Sequence, residues 1–380
     1  LKKNIIFSCP AYSMSGYGAH SRDMIEAIWN SGKFNLSILA NGWGGSTNSR
    51  YLGLNIKDIL DFCNHNKITE EQPYTFVHVG IPTEFKRNSK YKNIGVTAGL
   101  EADRLPNSWV DGCRNVDLLI VPTQFEKDLF IKSGVKTRIE IVNEGVDTEI
   151  FHPLQTPIPL PQYPTKFNFL AVGQWLNFET GTDRKQIGLL LELFLETFKE
   201  NEDVGLVLKT YHTNFSTPDL HIVRGKLEEL KNNIKSKARL YLLHGELYDK
   251  GLAGLYTHPD IHALISLTSG EGWGRPLAEA MACDLPIIAT GWSGHTEFLN
   301  ANNSVVLPYV LRQIPQSNGM WFEKNMKWAY VNINDVILAM RDMIINYDNY
   351  KKRATIEGVT FREKFNKKVV YQKLIELLEE

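Results

Sequence analysis

Short apolar runs alternate with stretches of helical periodicity along nearly the whole chain, and that alternation most narrows the folds open to it. Runs at 4–7, 36–40, 74–79, 93–97 and 118–121 each suit one buried strand, and a helix is expected at 19–29. Strands alternating with helices build βα units around a parallel sheet. The texture changes at residues 152–165, where Pro153, Pro157, Pro159, Pro161 and Pro164 come with few charges; the spacing predicts an extended, semi-rigid linker. Beyond it the alternation resumes at 167–172, 204–208, 240–243, 263–267 and 287–289, with a helix at 187–199. A chain of 380 residues exceeds what one core usually supports. The expected fold class is therefore α/β, with two doubly wound Rossmann-like domains facing a central cleft, 1–155 and 166–366. From about Asp335 onward the pattern is helical, with Val336, Ile337, Met340, Met343 and Ile344 at helical spacing. Ligands of such sheets bind beyond the carboxyl ends of the strands.

The formal net charge of -1 leaves no global field toward nucleic acid or anionic lipid. The start of the chain, Leu1-Lys2-Lys3-Asn4 and then Ile5-Ile6-Phe7, reads as a first strand and not a signal peptide, and no run approaches eighteen apolar residues. Any membrane contact would be peripheral. Cys9, Cys63, Cys113 and Cys283 show neither zinc-site nor disulfide-framework spacing, so a reducing, cytoplasmic setting is expected.

The densest chemical signal is 269–282, Ser-Gly-Glu-Gly-Trp-Gly-Arg-Pro-Leu-Ala-Glu-Ala-Met-Ala, directly after an apolar strand. Pro276 suits the first turn of a helix starting near Arg275. Gly272 and Gly274 let the backbone approach a ligand, and the helix N-terminus favours a phosphate or a sugar oxygen. Glu279 is expected in the first turn, as a ribose acceptor, and Glu271 on the loop, free to meet a sugar. Asp284 is expected in the left-handed conformation at the helix end, with Pro286 blocking continuation.

The stretch Glu271-Gly-Trp-Gly-Arg-Pro-Leu-Ala-Glu-Ala-Met-Ala-Cys-Asp-Leu-Pro286, followed by Ala289-Thr-Gly-Trp-Ser-Gly-His-Thr-Glu297, closely resembles the glutamate-x7-glutamate signature of the GT-B retaining glycosyltransferases of family 4. Val142-Asn-Glu-Gly-Val-Asp147 with Phe151-His-Pro153 looks like the end of that family's first domain. The resemblance implies a GT-B fold, a last helix at about 367–380 packing back on the first domain, and transfer of a hexose from a UDP- or GDP-linked sugar to a hydroxyl acceptor of unknown class. Nucleic acid enters only as an acceptor, and no cofactor or metal is implied. Two departures stand out: Asp284 replaces the family's glycine, and Trp273-Gly274-Arg275-Pro276 replaces Phe-Gly-Leu-Pro.

The resemblance gives Glu271, Arg184, Lys185 and Glu101 catalytic roles. It gives the donor Glu279, Gly272, Trp273, Gly274, Arg275, Pro276 and Leu277; Lys209, at a strand end facing the same cleft, and Leu247 are further donor-side candidates. A leaving diphosphate needs positive charge, which Arg184 and Lys185 would supply, with Arg184 standing in for an arginine often found at Gln174. On the acceptor side, Gly16, Tyr17 and Gly18 form a glycine-rich turn between the first strand and its helix, though such a turn needs no ligand. His78 and Glu101 sit at strand ends, Glu101 where many relatives carry histidine. Residues 86–92 form a basic run that reads as a solvated loop or an anion-steering patch. Rival readings are a DNA-modifying glycosyltransferase, a sugar-nucleotide epimerase and an inert sugar-nucleotide-binding module.

Overall fold

The structure is a computed structural model that describes residues 2–43, 54–69, 71–160, 163–315 and 321–380; Pro161 of the proline-rich stretch lies outside them. The chain divides into two compact units, residues 1–145 with 364–380, and residues 146–363. Both are Rossmann-like α/β units with a six-stranded parallel sheet, and together they define the GT-B fold.

In the first unit β1 (Lys3–Cys9), β2 (Phe34–Ala40), β3 (Tyr74–Val79), β4 (Lys92–Val96), β5 (Leu118–Val121) and β6 (Arg138–Ile141) lie in the order β2-β1-β3-β4-β5-β6. Every pairing is parallel. All four residues of β5 are buried, as a strand covered on both faces demands. The order reverses between β1 and β3, which opens a crevice at their carboxyl ends. The helix after β1 runs Gly16–Ser31, starting three residues before the expected 19, because Ser15 caps it by accepting from the Gly18 N–H at 3.1 Å. The expected turn at Gly16, Tyr17 and Gly18 is thus the first helical turn. Gly18 is required there, since a Cβ would stand 2.1 Å from the Ser13 carbonyl oxygen. The end of the chain closes this unit: Tyr371, Leu374, Ile375, Leu377 and Leu378 share a core with Ile5, Phe7 and Met24.

In the second unit β7 (Phe167–Val172), β8 (Val204–Lys209), β9 (Arg239–Leu243), β10 (Ala263–Ser266), β11 (Ile287–Thr290) and β12 (Val305–Leu307) lie in the order β12-β11-β10-β7-β8-β9, again all parallel. Here the reversal falls between β7 and β10. A separate antiparallel ribbon joins β13 (Tyr309–Gln313) to β14 (Lys327–Val331). Phe169, Leu191, Phe194, Leu206, Ile265 and Met340 anchor the core. The proline-rich stretch lies along this unit: the Ile158 N–H donates to Gly254 O and Thr257 Oγ1 donates to Gln155 O. No described helix is long and apolar enough to cross a membrane.

Candidate functional site

The loop after β10 sits at the switch point of the second sheet, and its shape follows from its glycines. Gly274 takes φ 91 and caps the helix Arg275–Ala282 without a side-chain bond, so the helix N-terminus is left open to a ligand. Across from it, Ser293 adopts φ 80, a strained backbone for a residue with a Cβ. That strain serves Glu271: its N–H donates to Ser293 Oγ at 2.8 Å, and its carbonyl accepts from the Gly294 N–H at 2.8 Å. The 293–294 turn therefore fixes the Glu271 backbone from both sides.

The Glu271 side chain is not free on a loop, as expected, but buried and paired. Its Oε1 lies 2.5 Å from Lys185 Nζ and its Oε2 3.5 Å from Arg184 NH1. Burial alone would raise its carboxyl, but the Lys185 ammonium and the Arg184 guanidinium outweigh that and hold it down to about 2. Arg184 NH1 also donates to Gly270 O at 2.5 Å, while its own carbonyl accepts from the Ser269 N–H at 2.7 Å. Arg184 thus clasps the loop. Lys185 lines a small pocket with Val172, Leu264, Ser266, Glu271, Gly274, Pro276 and Leu277. The strand ends, the glycine loop and Lys185 of the basic pair meet there.

Glu279 is corrected by one turn. The helix begins at Arg275, so Glu279 is its fifth residue, and no acidic side chain lies in the first turn. Its position owes less to the helix dipole than to two side chains: Tyr256 OH donates to Oε2 at 3.1 Å, and Arg275 Nε lies 3.7 Å from Oε1. Pro276 is the second helical residue, and Gly272 and Trp273 complete the loop, Trp273 being buried against Phe298. Lys209 ends β8, buried, with Nζ donating to Gly245 O; burial pushes its ammonium down to about 8, while the Glu246 carboxylate pulls the other way. Leu247 is half-buried just before the helix Asp249–Tyr256, which carries Tyr256 to Glu279. Asp284 takes φ 57, as expected.

In the first unit, Tyr17 OH bridges Thr97 Oγ1 at 3.0 Å and the Ala98 N–H at 2.9 Å, tying the first helix to the loop after β4. Leu100 N–H, in the same loop, donates to the fully buried Glu126 at 3.1 Å, and the partly buried Glu101 follows it directly in that loop. His78 is half-buried at the end of β3, its Nδ1 without a partner, and burial lowers its pKa. The basic run is partly spent on structure: Arg87 pairs with Asp117 at 2.7 Å and Lys92 donates to Leu377 O. Sequence reasoning missed Ser293, Gly294 and Tyr256 as site residues. The Ser-Gly pair carried a visible signal; Tyr256 carried none. Among the described residues no group of three or more His, Cys, Asp or Glu could hold a metal ion, and all four cysteines are free and buried.

Two Rossmann-like units and a phosphate-suited helix start at a switch point define a GT-B protein. Residues 184–311, which span the basic pair, the glutamate loop and the 293–294 turn, match the family described as glycosyl transferases group 1. A probable sucrose-phosphate synthase of Thermosipho melanesiensis is 27% identical over 192 residues, 48% of this chain and 41% of that relative. The structure of sucrose-phosphate synthase from Thermosynechococcus elongatus is similar at TM-score 0.67 and 13% identity, covering 100% of this chain and 98% of that one. Anabaena HepE in complex with UDP and glucose is similar at TM-score 0.67 and 12% identity, covering 99% of each chain.

Proposed function

We propose that the chain is a retaining glycosyltransferase that moves a hexose from a UDP-linked donor to a hydroxyl acceptor. The observation that carries the reading is the Glu271 carboxylate held between Lys185 and Arg184, beside an open helix N-terminus at the β7/β10 switch point. Two partly buried cations that share a single carboxylate keep one positive charge in excess, a site poised for exchange with an anion. An arriving diphosphate takes over Lys185 and Arg184, and Glu271 turns its oxygens to the sugar hydroxyls. Glu279, steadied by Tyr256, accepts from the ribose diol. In the transfer step the bond between the anomeric carbon and the diphosphate oxygen breaks, the bond to the acceptor oxygen forms, and the acceptor proton passes to the departing diphosphate. The cations and the helix dipole stabilise the charge that develops there. UDP as the nucleotide is supported by the HepE complex, and retention by the resemblance of 271–297 to family 4.

A panel of nucleotide sugars, assayed for nucleoside diphosphate release with and without sugar, glycan and lipid-linked acceptors, tests the reading. We expect acceptor-dependent release from a UDP-hexose. Lys185→Ala should lower turnover about 10²–10³-fold, the usual effect of removing one group that stabilises developing charge. Wild-type turnover in both Lys185→Ala and Glu271→Ala would refute the assignment. Conversion of donor to its epimer with no acceptor present would turn the reading to an epimerase.

A further inference from the structure

The helix Arg275–Ala282 lines the pocket at its start, and its other end is held by a contact that the transfer reading does not use. Just past it, Asp284 takes φ 57, a conformation that glycine adopts freely and an aspartate adopts at a cost. The carboxylate is buried. Its Oδ1 accepts from Arg362 NH1 at 2.5 Å, and the same nitrogen donates to Ala282 O at 2.7 Å. Lys351 Nζ donates to Asp284 O at 2.7 Å, and Gly358 packs so closely that a Cβ there would stand 2.0 Å from Asp284 Oδ1.

Lys351, Gly358 and Arg362 stand at i, i+7 and i+11 on one face of the helix Tyr347–Phe365, so this whole face is seated on the end of the pocket helix. Arg362 lies two residues before Lys364, where the chain passes from the second unit to the first. A simple helix stop at 284 would be served better by glycine.

We propose that the Asp284–Arg362 pair is a coupling device: it ties the helix that binds the donor to the helix that leads out of the unit, so that filling the pocket stiffens the crossover. Asp284 and Arg362 are positioning residues that touch no substrate. The inference rests on the donor reading of the pocket above.

Hydrogen exchange of the full chain, with and without UDP, tests it. In the wild type, UDP should slow exchange several-fold across 351–363. Asp284→Gly fits the left-handed backbone without strain, so it should fold and bind UDP with a dissociation constant within about threefold of wild type, while the slowing across 351–363 disappears. Arg362→Lys, which keeps a cation opposite Asp284, should retain part of it. Equal slowing in wild type and Asp284→Gly would overturn the coupling and leave the donor reading standing. A wild-type protein that binds no UDP, measured by calorimetric titration, would overturn both.

Discussion

Glu126 shows how one side chain's environment, and not its type, sets its charge. It is fully buried; burial pushes its carboxyl well above the usual range, and the nearby Glu101 charge pushes it further. An acid with a raised folded pKa costs nothing below the unfolded value near 4.5. As pH rises from there toward the folded pKa, it weakens the fold by about 1.4 kcal/mol per pH unit. Glu126→Gln keeps an acceptor for the Leu100 N–H without that cost. Urea midpoints should therefore coincide for the two proteins near pH 4 and separate in favour of the variant from pH 5 to 8. Lys209 gives the converse test: with its ammonium already down to about 8, UDP binding through it would take up a proton above that pH. Affinity should fall between pH 8 and 9.5 in the wild type, and Lys209→Met should flatten that limb. Neither expectation was available from the sequence, where Glu126 is one of many helical glutamates.

At the scale of elements, backbone conformation decides which glycines matter. Gly294 sits against the loop it supports, and a Cβ there would lie 1.8 Å from Gly272 O. Gly294→Ala should cost more than about 2 kcal/mol in urea unfolding and lower nucleotide-sugar turnover through the displaced Glu271. Gly225, exposed inside the helix Thr217–Ile234 with nothing within 4 Å of a Cβ, is the control: Gly225→Ala should stabilise by about 0.5–1 kcal/mol. Most strands legible in the sequence are largely buried, such as β5 and β8, while the edge strand β9 was legible from its leucines although it is only half-buried. The four that escaped, β6, β12, β13 and β14, lie at sheet edges or in the ribbon and keep exposed or half-exposed positions, so they write no apolar run. The helix Gly16–Ser31 was placed late because its first turn is glycine-rich; the Ser15 cap, not propensity, sets its start.

At the scale of the molecule, the first unit is completed by the far end of the chain. Removing 364–380 would strip Tyr371, Leu374, Ile375, Leu377 and Leu378 from its core. At about 1.5–3 kcal/mol per buried side chain, that loss rivals the whole stability of a domain. A chain ending at 363 should show the first unit unfolded by hydrogen exchange, while residues 166–345 stay protected. The sequence by itself determined two parallel α/β units, the glycine loop that opens a helix at Arg275 and the left-handed Asp284, because strand burial, glycine freedom and proline placement act between neighbours in the chain. Only the tertiary structure decided that Glu271 is already bound to Lys185 and Arg184, that Glu279 belongs to the second turn and leans on Tyr256, and that Asp284 holds Arg362. Those pairings join residues separated by 20 to 90 positions, and their energies depend on shared burial, which no local pattern records.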